Sequence, residues 1–254
     1  MRPVDQLLRA TAQAEARHFW FRGFRFFVTP LLQRATAGVA NGRLLDCGCG
    51  TGANLELLSR FGRAYGFDLT RSGLEAGRAR GRTRLARASV AAVPFSDNTF
   101  DLVTSFDVLY ALESDIEGKA VAEMYRVLKP GGHLIVNVAA MESLRGNHSV
   151  LSHEARRYSR ASLTSLLTSA GFSIARITYT NASLFLPMLA LRTLQRARGL
   201  SAHDASPGAE QDIAVPPAAL NTLLTALLRL ESEWLAVANN PFGSSLLCLA
   251  RKPA

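Results

Sequence analysis

Leu44-Leu45-Asp46-Cys47-Gly48-Cys49-Gly50-Thr51-Gly52, followed after a helix-compatible stretch by Tyr65-Gly66-Phe67-Asp68-Leu69, is the part of this 254-residue chain whose reading decides the fold. A short apolar run feeds three glycines at alternate positions, and a second apolar run ends in a carboxylate. That is the pattern of a strand, a tight turn, a helix and a second strand. Glycine lets the backbone turn sharply and come close to a ligand, because no Cβ stands in the way and positive φ costs it little. A helix beginning near Gly52 would aim free N–H groups at that ligand. Asp68, at the tip of the second strand, is placed to accept from both hydroxyls of a ribose. Together these residues read as a nucleoside-cofactor pocket.

Gly48, Gly50 and Ala53 also satisfy the dinucleotide pattern G-x-G-x-x-G/A. Asp46 argues against a dinucleotide, since a carboxylate just before the first glycine repels a pyrophosphate and attracts an ammonium group. Gly52 argues the same way, because it makes the spacing G-x-G-x-G.

Outward from this loop, strands are predicted over 43–47, 64–68, 84–88, 101–105 and 132–138, with helices over 53–60, 71–80 and 115–127. A helix over 160–170, stopped by Gly171, leads to a strand over 172–180, and 244–251 reads as the last strand. Strands alternating with helices specify a parallel, doubly wound sheet. Ligands of such sheets bind outside the carboxyl ends of the strands, where the winding reverses. Gly48, Asp68, Ser89 and Phe106 would converge there.

The flanks read as helical. Residues 4–38 carry helical periodicity and an aromatic burst from His18 to Phe27, and Pro30 is expected to restart a helix. About sixty residues separate the sixth strand from the last. They hold helical segments over 183–198 and 217–237, joined by a polar linker over 199–216 that is expected to be mobile. The organisation is thus a helical cover over 1–40, a core over 41–182 and 243–254, and a helical insertion over 183–242. The insertion could cover the core, form a dimer surface or lie on a membrane.

Leu45-Asp46-Cys47-Gly48-Cys49-Gly50-Thr51-Gly52 resembles the first motif of class I S-adenosylmethionine-dependent methyltransferases. Val93-Pro94-Phe95-Ser96-Asp97-Asn98-Thr99-Phe100-Asp101-Leu102-Val103 and Val127-Leu128-Lys129-Pro130-Gly131-Gly132-His133-Leu134 resemble the family's later motifs, in its order and spacing. The resemblance covers roughly residues 41 to 138. It implies an α/β, doubly wound, mostly parallel seven-stranded sheet of the Rossmann-like methyltransferase type, with N-terminal helices and a helical insertion before the last strand.

The resemblance also implies roles for particular residues. Asp46 would attract the methionine ammonium of S-adenosyl-L-methionine, directly or through water, and Gly48, Gly50 and Gly52 would seat the cofactor on bare backbone. Asp68 would hold the ribose, with Leu69 packing beside the adenine. Family members often carry an acid just after the third strand for the adenine amino group, where this chain has Ser89; a hydroxyl can accept the same bond, or the backbone of Val90 takes it over. Phe106 would present its backbone to the methionine end. The run around Trp20 and Arg22 resembles a segment that lies over the cofactor mouth in small-molecule members, which makes both candidate cofactor contacts.

A methyl acceptor such as a phenol, amine or enol benefits from a general base. Where the family often reads Val-Leu-x-His after the fourth strand, this chain reads Val108-Leu109-Tyr110-Ala111, so the family's base is missing. Tyr110 and His148 are the catalytic candidates. His148 lies with His153, Arg157 and Tyr158 in the connection that leaves the carboxyl edge of the sheet after the fifth strand. Asn147-His148 through Arg160 resembles a stretch of uncharacterised small-molecule members.

The formal charge of +9 comes almost wholly from arginine, as Lys119, Lys129 and Lys252 are the only lysines. Solvated arginine on helix faces explains it as well as a nucleic-acid partner, and the Asn/Asp-Pro-Pro-aromatic tetrad of amino-methylating nucleic-acid enzymes is absent. Cys47, Cys49 and Cys248 form neither a disulfide framework nor a metal set. Lacking a leader and a long apolar span, the chain is expected to be cytoplasmic, monomeric or homodimeric, and metal-free, with peripheral membrane contact left open. The expected activity is S-adenosylmethionine-dependent methylation of a small-molecule O-, N- or C-acceptor, with S-adenosyl-L-homocysteine as product, in natural-product or cell-envelope metabolism. The alternative is a cofactor-binding protein without transfer activity that serves as a regulatory or scaffolding partner.

Overall fold

The computed structural model describes residues 11, 14–146, 149, 154–197 and 214–254. Its sheet is built from β1 (Arg43–Cys47), β2 (Arg63–Asp68), β3 (Leu85–Arg87), β4 (Phe100–Phe106), β5 (Leu128–Ala139), β6 (Ser173–Thr180) and β7 (Ser245–Arg251). The strand order is β3-β2-β1-β4-β5-β7-β6, parallel from β3 through β5, with β7 antiparallel to both β5 and β6. From β1 the chain winds toward β3, then returns to lay β4 on the opposite side of β1. The switch point therefore lies between the carboxyl ends of β1 and β4.

The inner strands are apolar at consecutive positions because helices cover both faces. Leu45, Val103, Leu134, Val136, Leu246 and Cys248 point to one face, where they pack with α4 (Ser114–Val127) and α5 (Arg160–Ser169). Leu44, Leu102, Ile135, Leu247 and Leu249 point to the other, with α1 (Phe19–Ala35), α2 (Ala53–Leu58), α3 (Arg71–Arg78) and α7 (Ala218–Val237). The period of two along each strand divides one apolar run into two cores.

Several boundaries differ from the sequence expectation for local reasons. Helices expected over 53–60 and 71–80 end at Leu58 and Arg78, because the chain tightens into i→i+3 bonds there: Arg60 N to Leu57 O at 3.2 Å and Arg80 N to Gly77 O at 3.0 Å. Strand β5 starts at Leu128 rather than 132. Leu128 pairs with Phe100 and His133 with Leu102, so Lys129–Gly132 form a bulge between them, built on a proline without an N–H and on Gly131 at φ 79°. Pro30 does not restart a helix; it lies inside α1, which continues through it to Ala35.

Helix α1 and the insertion pack on each other as well as on the sheet. Asn221 of α7 accepts from Phe19 N at 2.8 Å and donates to Arg17 O at 2.9 Å. A Cβ on Gly23 would stand 2.3 Å from Leu228 Cδ1, so the two helices meet closely at that glycine. Glu231 of α7 accepts from Ala182 N, Ser183 N, Ser183 Oγ and Asn240 Nδ2, at 2.6 to 3.0 Å. That carboxylate ties α7 to the start of α6 (Phe185–Ala197). Helix α6 buries no side chain fully, and Leu186, Leu191 and Leu194 are exposed on it. The outer side of α7 exposes Leu220, Leu223, Leu230, Trp234 and Val237. No helix among the described residues is long and apolar enough to cross a membrane.

Candidate functional site

Asp46, one residue before the end of β1, points into the protein and is 1 % exposed. Its Oδ1 accepts from Thr104 Oγ1 at 2.7 Å, and Thr104 is its parallel partner on β4. Its Oδ2 has no hydrogen-bond partner. Burial, with the nearby Asp68 charge as a smaller contribution, pushes the carboxyl up to about 7 against the pull of the Thr104 bond. A buried acceptor left open beside a ligand loop is costly unless a donor arrives. An ammonium group, or a water held by one, would satisfy it and restore the charge.

The loop that follows is held open by its glycines. Gly48, Gly50 and Gly52 have φ of 78°, 54° and 75°, a region other residues occupy only under strain. A Cβ on Gly48 would come within 2.4 Å of Val108 Cγ2, so this glycine also lets the chain after β4 lie against the loop. Gly48 N and Cys49 N both donate to Phe67 O at 2.9 Å, fixing the loop over the end of β2. Asp68 closes it: Oδ2 accepts from Gly50 N at 2.8 Å, and Oδ1 from Thr70 N at 2.7 Å and from Thr70 Oγ1. A carboxylate has about four acceptor sites, so these bonds orient Asp68 and leave room for a further donor such as a ribose hydroxyl. Leu69 stands 64 % exposed beside it, an apolar surface with nothing yet packed on it. Helix α2, only six residues long, adds little dipole; the bare loop backbone is the main donor surface. Burial pushes the Cys47 and Cys49 thiols well up, so neither is a nucleophile near neutral pH.

The N-terminal segment reaches this loop through residues that the sequence reading did not single out. Thr51 Oγ1 donates to Glu15 Oε2 at 3.0 Å, Arg82 Nη1 donates to Thr51 O at 2.9 Å, and Arg82 Nη2 lies 3.5 Å from Glu15 Oε1. Phe24 of α1 packs edge-on to Phe106 with centroids 4.9 Å apart. Of the two expected contacts, Trp20 packs against the same core cluster as Phe24 and edge-on to Phe19, and Arg22 is exposed. Trp20, four residues before Phe24 and seven before Phe27, shares their face of α1, whereas Arg22 lies on the opposite side.

On the adenine side, Ser89 Oγ accepts from Ala91 N at 3.2 Å, and Ser89 bridges Ala92 in a tight return of the chain. The hydroxyl keeps its hydrogen and one lone pair for a ligand. Val90 packs partly against the core beside it.

Beyond β4 the backbone turns at Asp107, which has φ 61°. Asn137 Nδ2 donates to Asp107 Oδ1 at 2.9 Å, and Asp107 N donates to Asn137 O at 2.9 Å. Asp107 is open to solvent, yet it lies deep enough for burial, with the Glu154 charge second to it, to push its carboxyl up to about 7. Tyr110 stands near it: burial first, then the Asp107 and Glu154 charges, raise its phenol well above the usual range. Tyr110 is therefore a neutral donor near pH 7, not a base.

Arg157 and Tyr158 are engaged by the protein. Arg157 forks onto Glu154 at 2.9 and 3.1 Å, and it donates to Ala140 O at 2.9 Å. The Tyr158 hydroxyl donates to Glu117, which also pairs with Arg156. These side chains anchor the connection after β5. His148 and His153 lie outside the described residues.

Residues 45–136 match the model of a family described as a methyltransferase domain. The ubiquinone/menaquinone biosynthesis C-methyltransferase UbiE of Escherichia coli is 38% identical over 116 residues, covering 39% of this chain and 44% of that protein. Over residues 45–136 this chain is similar to S-adenosylmethionine-dependent methyltransferases. It spans less than half the length of the curated relatives it matches. Among solved structures, a chain of the Haloferax volcanii complex with the Trm112 methyltransferase activator superposes with TM-score 0.60 at 19% identity, over 97% of this chain and 98% of that one. Haemonchus contortus phosphoethanolamine N-methyltransferase 2, solved with S-adenosyl-L-methionine, gives TM-score 0.57 at 21% identity, over 89% of this chain and 52% of that one. At these identities the two structures share the fold.

The methyltransferase domain matched by the family ends at 136, before Glu154 and Arg157. The glycine loop thus lies within the matched segment, and Glu154 and Arg157 lie outside it. Asp107 falls inside the match. Its signal was a carboxylate immediately after the fourth strand, at the switch point, where the sequence reading looked at Phe106, Tyr110 and the missing histidine at 111.

Proposed function

We propose that this chain transfers a methyl group from S-adenosylmethionine to a small-molecule acceptor. One observation carries the reading. The G-x-G-x-G loop stands between a buried carboxylate with an unpartnered oxygen, Asp46, and an oriented, partly open carboxylate, Asp68. That pair suits a ligand with an ammonium at one end and a ribose at the other. S-adenosylmethionine, when bound, supplies a methyl group activated by a sulfonium. Asp46 would hold the ammonium, Gly48 and Gly50 the backbone-facing edge, Asp68 the ribose, and Leu69, Ser89 and Val90 the adenine. The chain's task is then alignment of acceptor and methyl, for which proximity alone supplies several kcal/mol. A small acceptor is favoured because Ser105-Phe106-Asp107-Val108 occupies the place at the end of β4 where amino-methylating nucleic-acid enzymes carry their Pro-Pro tetrad. The similarity to UbiE lies over 39% of the chain, so the donor reading extends further than any reading of the acceptor atom.

Titration calorimetry with S-adenosylmethionine, S-adenosylhomocysteine and NAD tests this. Both sulfur cofactors are expected to bind at micromolar concentration and NAD not to bind. NAD binding without either sulfur cofactor would overturn the assignment.

A further inference from the structure

We propose that Asp107 is the acceptor-side carboxylate of this site: it accepts a hydrogen bond from an amine or hydroxyl group of the methyl acceptor and takes that group's proton. The inference rests on the cofactor reading above and adds to it the class of acceptor.

The placement follows from the fold. Asp107 is the first residue after β4, and β1 and β4 are the strands between which the winding reverses. Its neighbour Val108 lies against Gly48 so closely that no Cβ would fit there. Asp107 therefore stands beside the first glycine of the loop, on the β4 side of the crevice, while Asp46 and its unpartnered oxygen stand on the β1 side. Its φ of 61° is a conformation that a residue other than glycine adopts at some cost, and functional sites are where such residues gather. Asn137 fixes one carboxylate oxygen, and among the described residues no other hydrogen bond reaches the second.

The charges around it select the ligand. Asn137 comes from β5, Tyr110 from the turn after β4, and Glu154 and Arg157 from the connection after β5. Arg157 is spent on Glu154 and on Ala140 O. Glu154 and Arg157 offset each other, so the charge left beside the neutral Tyr110 phenol is that of Asp107 itself. A carboxylate or phosphate at the reacting end would be repelled, whereas an amine or phenol would find an acceptor. In the transfer of its proton the N–H or O–H bond breaks, the electron pair stays on the nitrogen or oxygen, and the proton passes to Asp107 and later to water. A carboxyl that titrates at about 7 is matched to that exchange near neutral pH.

Sinefungin, in which an amine-bearing carbon replaces the methyl-bearing sulfur, tests the idea without knowledge of the acceptor. Calorimetry would compare it with S-adenosylhomocysteine in the wild type and in Asp107→Asn. Asparagine tolerates the same backbone conformation and keeps the shape. In the wild type at pH 8, sinefungin is expected to bind about ten-fold more tightly than S-adenosylhomocysteine, the size of one charge-assisted hydrogen bond. The advantage should shrink toward pH 6 and vanish in the variant, with S-adenosylhomocysteine affinity unchanged. A sinefungin advantage that survives in Asp107→Asn would overturn the proposal, and so would an equal loss of both ligands, which would make Asp107 a support of the loop. Failure of both ligands to bind the wild type would instead sink the cofactor reading.

Discussion

Asp46 and Asp107 are carboxylates whose folded state holds the proton tightly. Each titrates at about 7, with burial as the main cause, against about 4 for the unfolded chain. Between those values the folded chain keeps protons that the unfolded chain has released. Stability contributed by the two groups is therefore greatest below about pH 4 and falls as pH rises to about 7. Urea denaturation of the ligand-free protein at intervals from pH 5 to pH 8 should show that decline, on the order of 1 kcal/mol or more from buried Asp46 and less from the exposed Asp107. Asp46→Asn should flatten its share and be no less stable than the wild type at pH 8, while binding S-adenosylmethionine at least ten-fold more weakly, for want of a charge to meet the ammonium. A variant less stable than the wild type at pH 8 would mean that Asp46 serves the fold and not the ligand. Asp46 and Asp68 were legible in the sequence because glycine spacing marks a loop whose carboxylates can be counted from it. Asp107 has no such frame: an acid after a strand looks like any solvated turn residue until its φ and its partner Asn137 are known.

At the scale of elements, strands and helices between residues 43 and 139 followed from hydrophobic periodicity, since two-sided burial leaves a mark at every position. The insertion read correctly as helices, but not its partners. Asn221, Thr225 and Glu231 look like the polar face of a surface helix, yet all three are buried against the rest of the chain. Their bonds join residues far apart in sequence, which no local pattern encodes. Glu231 is the sharpest case, because it gathers donors from Ala182, Ser183 and Asn240. Glu231→Ala would leave those donors buried without an acceptor and is expected to cost about 3 kcal/mol, with Glu231→Gln costing roughly half. Chemical denaturation measures both. A loss below about 0.5 kcal/mol in the alanine variant, the usual range of a surface substitution, would show that α7 is not docked through this carboxylate.

Over the whole molecule, three contacts make a chain of connections from the cofactor loop to the insertion. Glu15 and Arg82 grip Thr51, Phe24 seats α1 on Phe106, and Asn221 ties the start of α1 to α7. The segment before β1 and the helix before β7 thus form one layer over the face of the sheet that carries the loop. A ligand that orders residues 48–52 would order that layer too, because Thr51 is shared between them. Hydrogen exchange read by mass spectrometry should show S-adenosylhomocysteine slowing exchange in the loop, in α1 and in α7. Glu15→Ala removes the acceptor of Thr51 Oγ1 without touching Asp46, Asp68 or the glycines. In that variant the ligand is expected to protect the loop as before, at a few-fold weaker affinity, while protection of α1 and α7 falls toward the ligand-free level. Equal protection of α1 in the variant and the wild type would show that Glu15 is a passive contact and that the cover responds to the ligand by another route, Phe24 on Phe106 being the remaining direct one.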